Sequence, residues 1–298
     1  IMAARTLKSR VERLATIMVL PLFSCGARFS VFMLLIPAFF PKEYRVFILF
    51  GVYLSGIVLA LVFAKILRLS IFKGGESAFI LELPPYRLPR PRNVLKEVSE
   101  RSLDFLKKAG TLILGMSILL WGFSNYPQKK EFSADYAAQI SAVSASNLPE
   151  SEKAEAVKNI ENQKLAEKFS YTVSGRIGAG LAPVFSPIGF DEKISSALMG
   201  AFVAKEIFIS QLGIVYGMGD SGDEGAATLR EKLSSSYTPL QGLSIILFML
   251  IAMPCIATIF ATYSETKSAK LALIQAFGLT ALAYAVCFAV YRVGLLLF

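Results

Sequence analysis

The stretch "LPLFSCGARFSVFML" at residues 20–34 is apolar except for a short interruption that contains Ser24, Cys25, Gly26 and Arg28. A cysteine thiolate is a ligand for softer metals such as Fe, Zn or Cu rather than Mg or Ca, and the following glycine permits unusual backbone. Arg28 would favour the thiolate form of Cys25. It would also repel a cation, so it could instead pair with a carboxylate or gate the path. The competing interpretation is that Cys25 is an inert packing thiol.

A second apolar run, Ile194–Tyr216, is interrupted by the charged pair Lys205-Glu206. A charge in the middle of a membrane span costs a few kcal/mol on insertion scales, so Glu206 is the strongest single candidate for a functional residue. Its carboxylate could bind a cation or switch by protonation, and Ser210 adds a polar group about one turn further on. The alternative is a structural ion pair of Glu206 with Lys205 or Arg28.

A third apolar run carries Pro254-Cys255 at its centre, with Thr258 three residues further on. Proline removes a backbone hydrogen bond and kinks a helix, and Cys255 and Thr258 would share a helix face there. The alternative is a kinked helix with a buried thiol; Cys287, in an uninterrupted run, is predicted to be a packing residue. The sequence contains no histidine, so a metal site must use Cys, Met, carboxylate, Asn, Gln or backbone oxygen.

Interrupted apolar helices indicate a transport site in secondary transporters. A helix break frees backbone carbonyl and amide groups that hydrocarbon cannot solvate, so such breaks persist only where they face protein or a wet cavity. The freed oxygens can then bind a cation. We therefore predict that Cys25, Glu206, Cys255 and freed backbone oxygens line an ion path.

These candidates lie in a chain that is too apolar for a soluble domain. Of its 298 residues, 54% are hydrophobic, and the mean hydropathy is +0.56. Apolar stretches of about 20 residues indicate transmembrane helices, so the predicted fold class is an all-α, polytopic transmembrane helical bundle with interrupted helices. The predicted spans are Leu14–Phe40, Val46–Leu67, Ala109–Phe123, Ile194–Tyr216, Leu243–Tyr263 and Leu271–Tyr291.

The net charge of +9 includes two basic strips, which in a membrane protein indicate topology rather than nucleic-acid binding. Ten lysine or arginine residues lie between Lys65 and Lys108, and four more lie between Arg5 and Arg13. The positive-inside rule places both strips on the cytoplasmic side, with a charged helical insertion at 125–175 outside. The sequence contains no phosphate-binding loop, dinucleotide fingerprint or histidine-dependent catalytic arrangement, so no catalytic site is predicted.

Four stretches of the chain together carry a resemblance to a known family. They are "RLATIMVLPLFSCGARFSVFMLLIPAFF", "ELPPYRLPRPRNVLKEVSERSLDFLKKAGTLILGMSILLW", "SPIGFDEKISSALMGAFVAKEIFISQLGIVY" and "MPCIATIFATYSETKSAKLAL". In order and spacing they resemble the membrane domain of the FeoB family of bacterial ferrous iron transporters, from the first to the last residue. By this resemblance, Cys25 and Cys255 match positions proposed to handle Fe²⁺, and Glu206 lies in the family's Ala-Lys-Glu motif.

The patterns and the resemblance together divide the chain into four regions. Residues 1–68 form a central membrane segment with its break and the following span, and residues 69–102 a cytoplasmic Pro-rich loop and an interfacial amphipathic helix. Residues 103–216 form a second gate-type repeat that contains the insertion, and residues 217–298 a polar loop and the last two spans. The resemblance further implies a G domain that binds GTP and Mg²⁺, a helical domain and a first gate, all absent from this chain.

The expected function is therefore import of Fe²⁺ across the bacterial inner membrane, regulated by GTP in the absent domain. The expected partners are the lipid bilayer, the upstream G domain and first gate, small accessory proteins of the same transport system and further copies of the protein, but no nucleic acid. Thiol and carboxylate ligands would also suit Mn²⁺ or Zn²⁺, so Fe²⁺ rests on the resemblance. Gate-type domains also resemble nucleoside-recognition proteins, which leaves a small-molecule carrier or a structural membrane subunit as the alternative.

Overall fold

The computed structural model describes residues 1–7, 9–70, 90–129, 132–145, 149–216, 222–252 and 254–297. These residues form helices and contain no β-strand, which confirms the predicted all-α class. Of the Pro-rich loop and amphipathic helix predicted at 69–102, residues 71–89 lie outside the described residues. The α-helices are α1 (Arg10–Val19), α2 (Gly26–Phe39), α3 (Arg45–Ser70), α4 (Pro91–Phe105), α5 (Thr111–Asn125), α6 (Tyr136–Ser144), α7 (Glu150–Tyr171), α8 (Val173–Phe185), α9 (Glu192–Val203), α10 (Ile207–Val215), α11 (Gly222–Ser236), α12 (Pro239–Ile251), α13 (Ile256–Thr266) and α14 (Ala269–Leu297).

Four stretches of the described chain are long and apolar enough to cross a membrane, namely Arg10–Phe39, Arg45–Ser70, Pro239–Thr266 and Ala269–Leu297. Each overlaps a predicted span, which confirms a multi-pass membrane protein. The first stretch consists of α1 and α2 and the third of α12 and α13, and each is interrupted where the sequence predicts. The predicted span Ala109–Phe123 corresponds to the 15 residues of α5, which a π-helical turn at Leu106–Gly110 joins to α4.

The prediction that Ile194–Tyr216 crosses the membrane is wrong, because the chain turns back at its interruption. α9 ends at Val203, the chain turns at 204–206, and α10 then runs antiparallel to α9. The two helices pack so closely that a Cβ atom on Gly200 of α9 would clash with the Gln211 side chain of α10. The segment is therefore a re-entrant hairpin with the charged pair at its tip.

A chain of hydrogen bonds holds the open end of this hairpin. The Tyr216 hydroxyl at the end of α10 donates to the Tyr237 hydroxyl at 2.9 Å, and Tyr237 donates to Asp191 Oδ2 at 2.8 Å. The other carboxylate oxygen of Asp191 accepts from the Ile194 amide at 2.9 Å and caps α9. The two ends of the hairpin and the segment between α11 and α12 are therefore fixed together, which leaves the tip at the opposite end.

The region after α10 differs from the polar loop predicted at 217–238, because it contains α11. Leu229 and Leu233 lie one turn apart and are 3% and 0% exposed, so α11 buries one apolar face against the bundle. This i, i+4 spacing of apolar residues predicts a helix, even though the segment as a whole is polar.

Two contacts identify the ends of the bundle. The Phe39 ring at the end of α2 lies against Gly242 at the start of α12. At the other end the Arg5 guanidinium donates to both carboxylate oxygens of Glu265, at 2.7 and 2.6 Å. The N-terminal strip and the turn between α13 and α14 therefore share one end, which we expect to be cytoplasmic from the basic strips.

The break between α1 and α2 frees backbone carbonyls that a side chain from α14 then binds. Pro21 has no N–H, so the Ile17 carbonyl lacks its helical donor four residues on. The Gln275 side-chain amide donates to the Ile17 carbonyl at 2.8 Å and to the Met18 carbonyl at 3.2 Å. Thr262 in turn donates to Gln275 Oε1 at 2.8 Å, so the amide is held in place.

Arginine side chains donate in the same way to backbone carbonyls of α2 that lack helical donors. Pro37 lies inside this helix and frees the Met33 carbonyl, which accepts a hydrogen bond from Arg230 Nη2 at 3.3 Å. The Pro37 and Phe40 carbonyls at the end of α2 each accept from Arg45 at 3.0 Å. Long polar side chains therefore stabilise the interrupted helices where helical hydrogen bonds are missing.

The insertion at 125–175 is organised around one carboxylate. Glu167 of α7 accepts hydrogen bonds from the Lys129 ammonium at 2.6 Å, from the Tyr136 hydroxyl at 2.6 Å, and from the backbone and hydroxyl of Ser133. These donors, of which Lys129 has the largest effect, hold the pKa of the Glu167 carboxyl well below its usual range. The charged insertion thus packs α6 and the segment before it against α7.

We expect Gln275→Leu to destabilise the bundle, because the Ile17 and Met18 carbonyls would lose their donor inside the protein. A buried polar group left without a partner costs about 1–3 kcal/mol, so the detergent-solubilised protein should unfold at a measurably lower temperature. Gln139→Leu makes the same chemical change at an exposed position of α6 and should leave the melting temperature nearly unchanged. Equal melting temperatures for both variants would contradict the assigned role of Gln275.

We expect Glu167→Gln to loosen the insertion and to remove its dependence on pH. The pKa of Glu167 is lower in the folded insertion than the value of about 4.3 in an unfolded chain. Its carboxylate therefore stabilises the insertion above that value, and the stabilisation is lost as the pH falls through the lowered folded-state pKa. Hydrogen exchange of the α6 amides should be faster in Glu167→Gln at neutral pH, whereas the exposed control Glu161→Gln should match the parent.

Candidate functional site

The three interruptions meet at one cavity of about 280 Å³. It lies between the break that precedes α2, the tip of the α9–α10 hairpin and the break that precedes α13. Seven of the predicted site residues line it, namely Cys25, Arg28, Lys205, Glu206, Pro254, Cys255 and Thr258. Ser24, Gly26 and Ser210 are not among its lining residues.

Cys25 is the residue immediately before α2, and its side chain is exposed to the cavity. Its extended backbone, with φ −102° and ψ 171°, ends the break that begins at Phe23. Gly26 then takes an ordinary helical conformation as the first residue of α2, so the unusual backbone that a glycine permits is not adopted here. Open space surrounds the position where a Gly26 side chain would lie, and this leaves the thiol of Cys25 accessible.

Arg28 is only 2% exposed, and its guanidinium binds a backbone carbonyl rather than a carboxylate. Arg28 Nη1 donates to the Phe23 carbonyl at 3.1 Å, across the break. Its Nε atom is buried without a hydrogen-bond partner in the described structure. Cys25 and Cys255 line the same cavity as Arg28. The structure therefore gives Arg28 a role as a cap of the first break, in a cavity that it shares with both thiols.

Lys205 occupies the carbonyls of the other broken helix. Its ammonium donates to the Met249 carbonyl at 2.7 Å and to the Ala252 carbonyl at 2.9 Å, and the residue is 5% exposed. These oxygens lie at the end of α12, where the sequence predicts that freed carbonyls could bind a transported ion. In this conformation a side-chain cation binds them instead.

Glu206 lies next to Lys205 at the hairpin tip but forms no ion pair with Lys205 or Arg28, so the alternative of a structural pair is wrong for this structure. Its side chain is exposed and lines the cavity at the start of α10. Ser210 is exposed elsewhere on α10. A carboxylate that is available to solvent in the cavity can bind an entering cation without first leaving a protein partner.

At Pro254-Cys255 the helix is broken rather than kinked. α12 ends at Ile251 and α13 begins at Ile256, and Cys255 between them is extended, with φ −59° and ψ 160°. Cys255 Sγ lies 3.2 Å from the Thr258 hydroxyl oxygen, one turn into α13. The predicted proximity of Cys255 and Thr258 is therefore present, and both side chains reach the cavity.

The ligating side chains share the cavity without converging on a point. Among the described residues, no three His, Cys, Asp or Glu side chains lie close enough to hold one metal ion together. Cys287 is remote from the cavity, fully buried and donates through Sγ to the Ser244 carbonyl at 3.3 Å. It is therefore the packing thiol that the sequence predicts. The residues that sequence reasoning missed are Met249 and Ala252, because backbone acceptors carry no sequence signal.

Comparison with known families divides the chain at about residue 105. Residues 49–101 match the family model "Ferrous iron transport protein B C terminus", and residues 106–269 match the Gate model, described as "Nucleoside recognition". No solved structure matches the chain.

Curated relatives match all or nearly all of the chain. The "Fe(2+) transport protein A/Fe(2+) transporter FeoB fusion protein" of Porphyromonas gingivalis is 36% identical over all of this chain and 36% of its own length. The "Fe(2+) transporter FeoB" of Helicobacter pylori is 36% identical over 95% of this chain and 44% of its own length. That of Methanocaldococcus jannaschii is 35% identical over all of this chain and 40% of its own length.

The chain thus spans about two fifths of the length of these relatives. The two family models match adjoining parts of the chain. On this evidence the chain belongs to the FeoB family.

Proposed function

We propose that this chain forms the membrane path of a ferrous iron importer and that Cys25, Glu206 and Cys255 bind the ion in passing. The observation that carries the proposal is that three interruptions, far apart in the sequence, line one cavity. The names of the curated relatives, which are Fe(2+) transporters, support Fe²⁺ as the ion.

The donor types favour a transition metal over a hard cation. Two thiols and one carboxylate line the cavity, and thiolates select softer ions than the oxygen-only sites that bind Mg²⁺ or Ca²⁺. Since the described ligands do not converge on one point, the ion would be passed stepwise between them. Conduction requires binding that is strong enough for entry and weak enough for exit, and dispersed ligands satisfy both conditions.

The regulation and setting of this transport are part of the same proposal. A G domain outside this chain would bind GTP and Mg²⁺ and control opening of the path, and the protein would work in the bacterial inner membrane. The Porphyromonas gingivalis relative joins an Fe(2+) transport protein A to its transporter, which supports a small accessory protein as a partner. The protein would also associate with further copies of itself to form a homo-oligomer.

A second candidate function follows from the Gate match over residues 106–269. A nucleoside or similar small molecule would be the substrate, and the cation ligands would then be incidental. A second cavity of about 80 Å³ lies between α8, α9 and α12, with Phe185, Phe202 and Phe248 on its walls. Typical ligand pockets measure about 300–1,000 Å³, so this cavity is small for a nucleoside. Uptake of labelled nucleosides by cells that express the protein tests this alternative directly.

We expect Cys25→Ser, Cys255→Ser and Glu206→Gln each to lower the initial rate of ⁵⁵Fe²⁺ uptake by about tenfold or more. Changes to residues that only orient metal ligands already cost about 10–100-fold, and these variants replace the proposed ligands themselves. The measurement is uptake by cells that lack other iron importers, at equal membrane abundance of each variant.

Cys287→Ser is the matched control, because Cys287 lies outside the cavity and a serine hydroxyl can still donate to the Ser244 carbonyl. Its uptake should stay within about twofold of the parent. Uptake at the parental rate in all three cavity variants would exclude the ligand roles, and competition by Zn²⁺ or Mn²⁺ in the parent would measure the selectivity of the path.

A further inference from the structure

The Lys205 ammonium lies where a cation could bind. α12 ends at the break, so its last carbonyl oxygens have no helical donor and carry the negative end of the helix dipole. Two of these oxygens, on Met249 and Ala252, point at one atom, Lys205 Nζ, at 2.7 and 2.9 Å. Backbone carbonyls at the ends of half-helices coordinate ions in transporters. These two carbonyl oxygens therefore form part of a cation site, and the cation bound there in this structure is the Lys205 ammonium of the protein itself.

Because Lys205 is buried, its ammonium depends on the two carbonyls that it binds. Lys205 is 5% exposed, and a buried ammonium is costly unless its charge is compensated and its donors are bonded. No carboxylate in the described structure forms a salt bridge with it. The two carbonyls are its hydrogen-bond acceptors, so the ammonium depends on them as much as they depend on it.

The charge of the cavity supports the same conclusion. Arg28 and Lys205 are both buried and both line the cavity that holds Cys25 and Cys255. Two fixed positive charges repel a divalent cation, and more strongly in a poorly solvated cavity than in water. A divalent ion therefore cannot take up the ligands of this cavity at low cost while both cations remain in place.

We propose that the Met249 and Ala252 carbonyls form a cation-binding site and that Lys205 is its tethered occupant, which a passing ion must displace. This inference rests on the proposed transport of Fe²⁺ and adds the residue that holds the path closed. Lys205 lies at the tip of the α9–α10 hairpin, so the site empties when the tip and the end of α12 separate. Glu206 is the next residue, and the same movement shifts its carboxylate.

The test uses the purified, intact protein in liposomes without added nucleotide. Lys205→Ala removes the tethered ammonium and leaves space for a small free one. We expect Fe²⁺ influx to rise at least about fivefold over the parent, and millimolar methylammonium to suppress the increase by occupying the vacated carbonyls. Lys270→Ala, which removes a lysine from an exposed position of α14, should show parental influx with or without methylammonium.

Rb⁺ influx is measured in the same liposomes, because this hard monovalent ion can bind carbonyl oxygens without the thiols of the proposed iron path. A separate measurement adds GTP, and the proposed function fails if the parent moves no Fe²⁺ with or without it. Rb⁺ entry through Lys205→Ala that methylammonium blocks would still support the cation site. A folded Lys205→Ala protein with parental influx of both ions, or with influx that methylammonium leaves unchanged, overturns the inference.

A second variant covers the case in which Lys205→Ala does not fold. Lys205→Gln keeps an N–H donor for the carbonyls but removes the charge, so it tests the charge separately from the hydrogen bonds. We expect raised influx of both ions from Lys205→Gln. Parental influx in this variant would mean that Lys205 only satisfies the carbonyls, and it would overturn the inference as well.

Discussion

Backbone carbonyls that lose their helical donors inside a membrane protein must find other donors, and this constraint shapes the whole bundle. Hydrocarbon offers no hydrogen bonds, so each unsatisfied group is costly. This chain interrupts its helices repeatedly, and at several of the interruptions a long polar side chain from a distant element or from across the break donates to the freed carbonyls. The donors are Gln275 on Ile17 and Met18, Arg28 on Phe23, Arg230 on Met33, Arg45 on Pro37 and Phe40, and Lys205 on Met249 and Ala252.

Two of these repairs use buried cations that share a cavity with the proposed ion ligands. Arg28 and Lys205 stabilise the two breaks, and they also place basic side chains in the cavity that holds Cys25 and Cys255. Stability of the broken helices and affinity for a cation are therefore opposed in this conformation. Glu206 is the one carboxylate among the lining residues, and it is exposed rather than paired. An entering ion would first meet that carboxylate, and binding further in requires that at least one cation move.

The spans could be predicted from sequence because apolar length reports directly on crossing a membrane, and the positions of all three interruptions were predicted correctly. The direction of the chain after an interruption could not be predicted in this way. Ile194–Tyr216 is long enough to span, yet it folds back because Lys205 finds its acceptors on α12 and the Gly200 surface lets α10 pack close. The partners of Arg28 and Lys205 were missed for a related reason. Both bind backbone carbonyls, which every residue carries, so the only partner that the sequence suggested for them, as an alternative, was the nearby carboxylate of Glu206.

The packing of the hairpin indicates which side of the Lys205 contact can move. A Cβ atom on Gly178 of α8 would overlap Ser196 of α9, and one on Gly200 would overlap Gln211 of α10. The three helices are thus packed at backbone distance, and rearrangement within them would be costly because interiors are close-packed. The end of α12 is different, since Ala252 and Cys255 have extended backbone and the helical hydrogen bonds stop there. Release of Lys205 is therefore easier by displacement of the break from a hairpin that moves as one body than by bending of the hairpin itself.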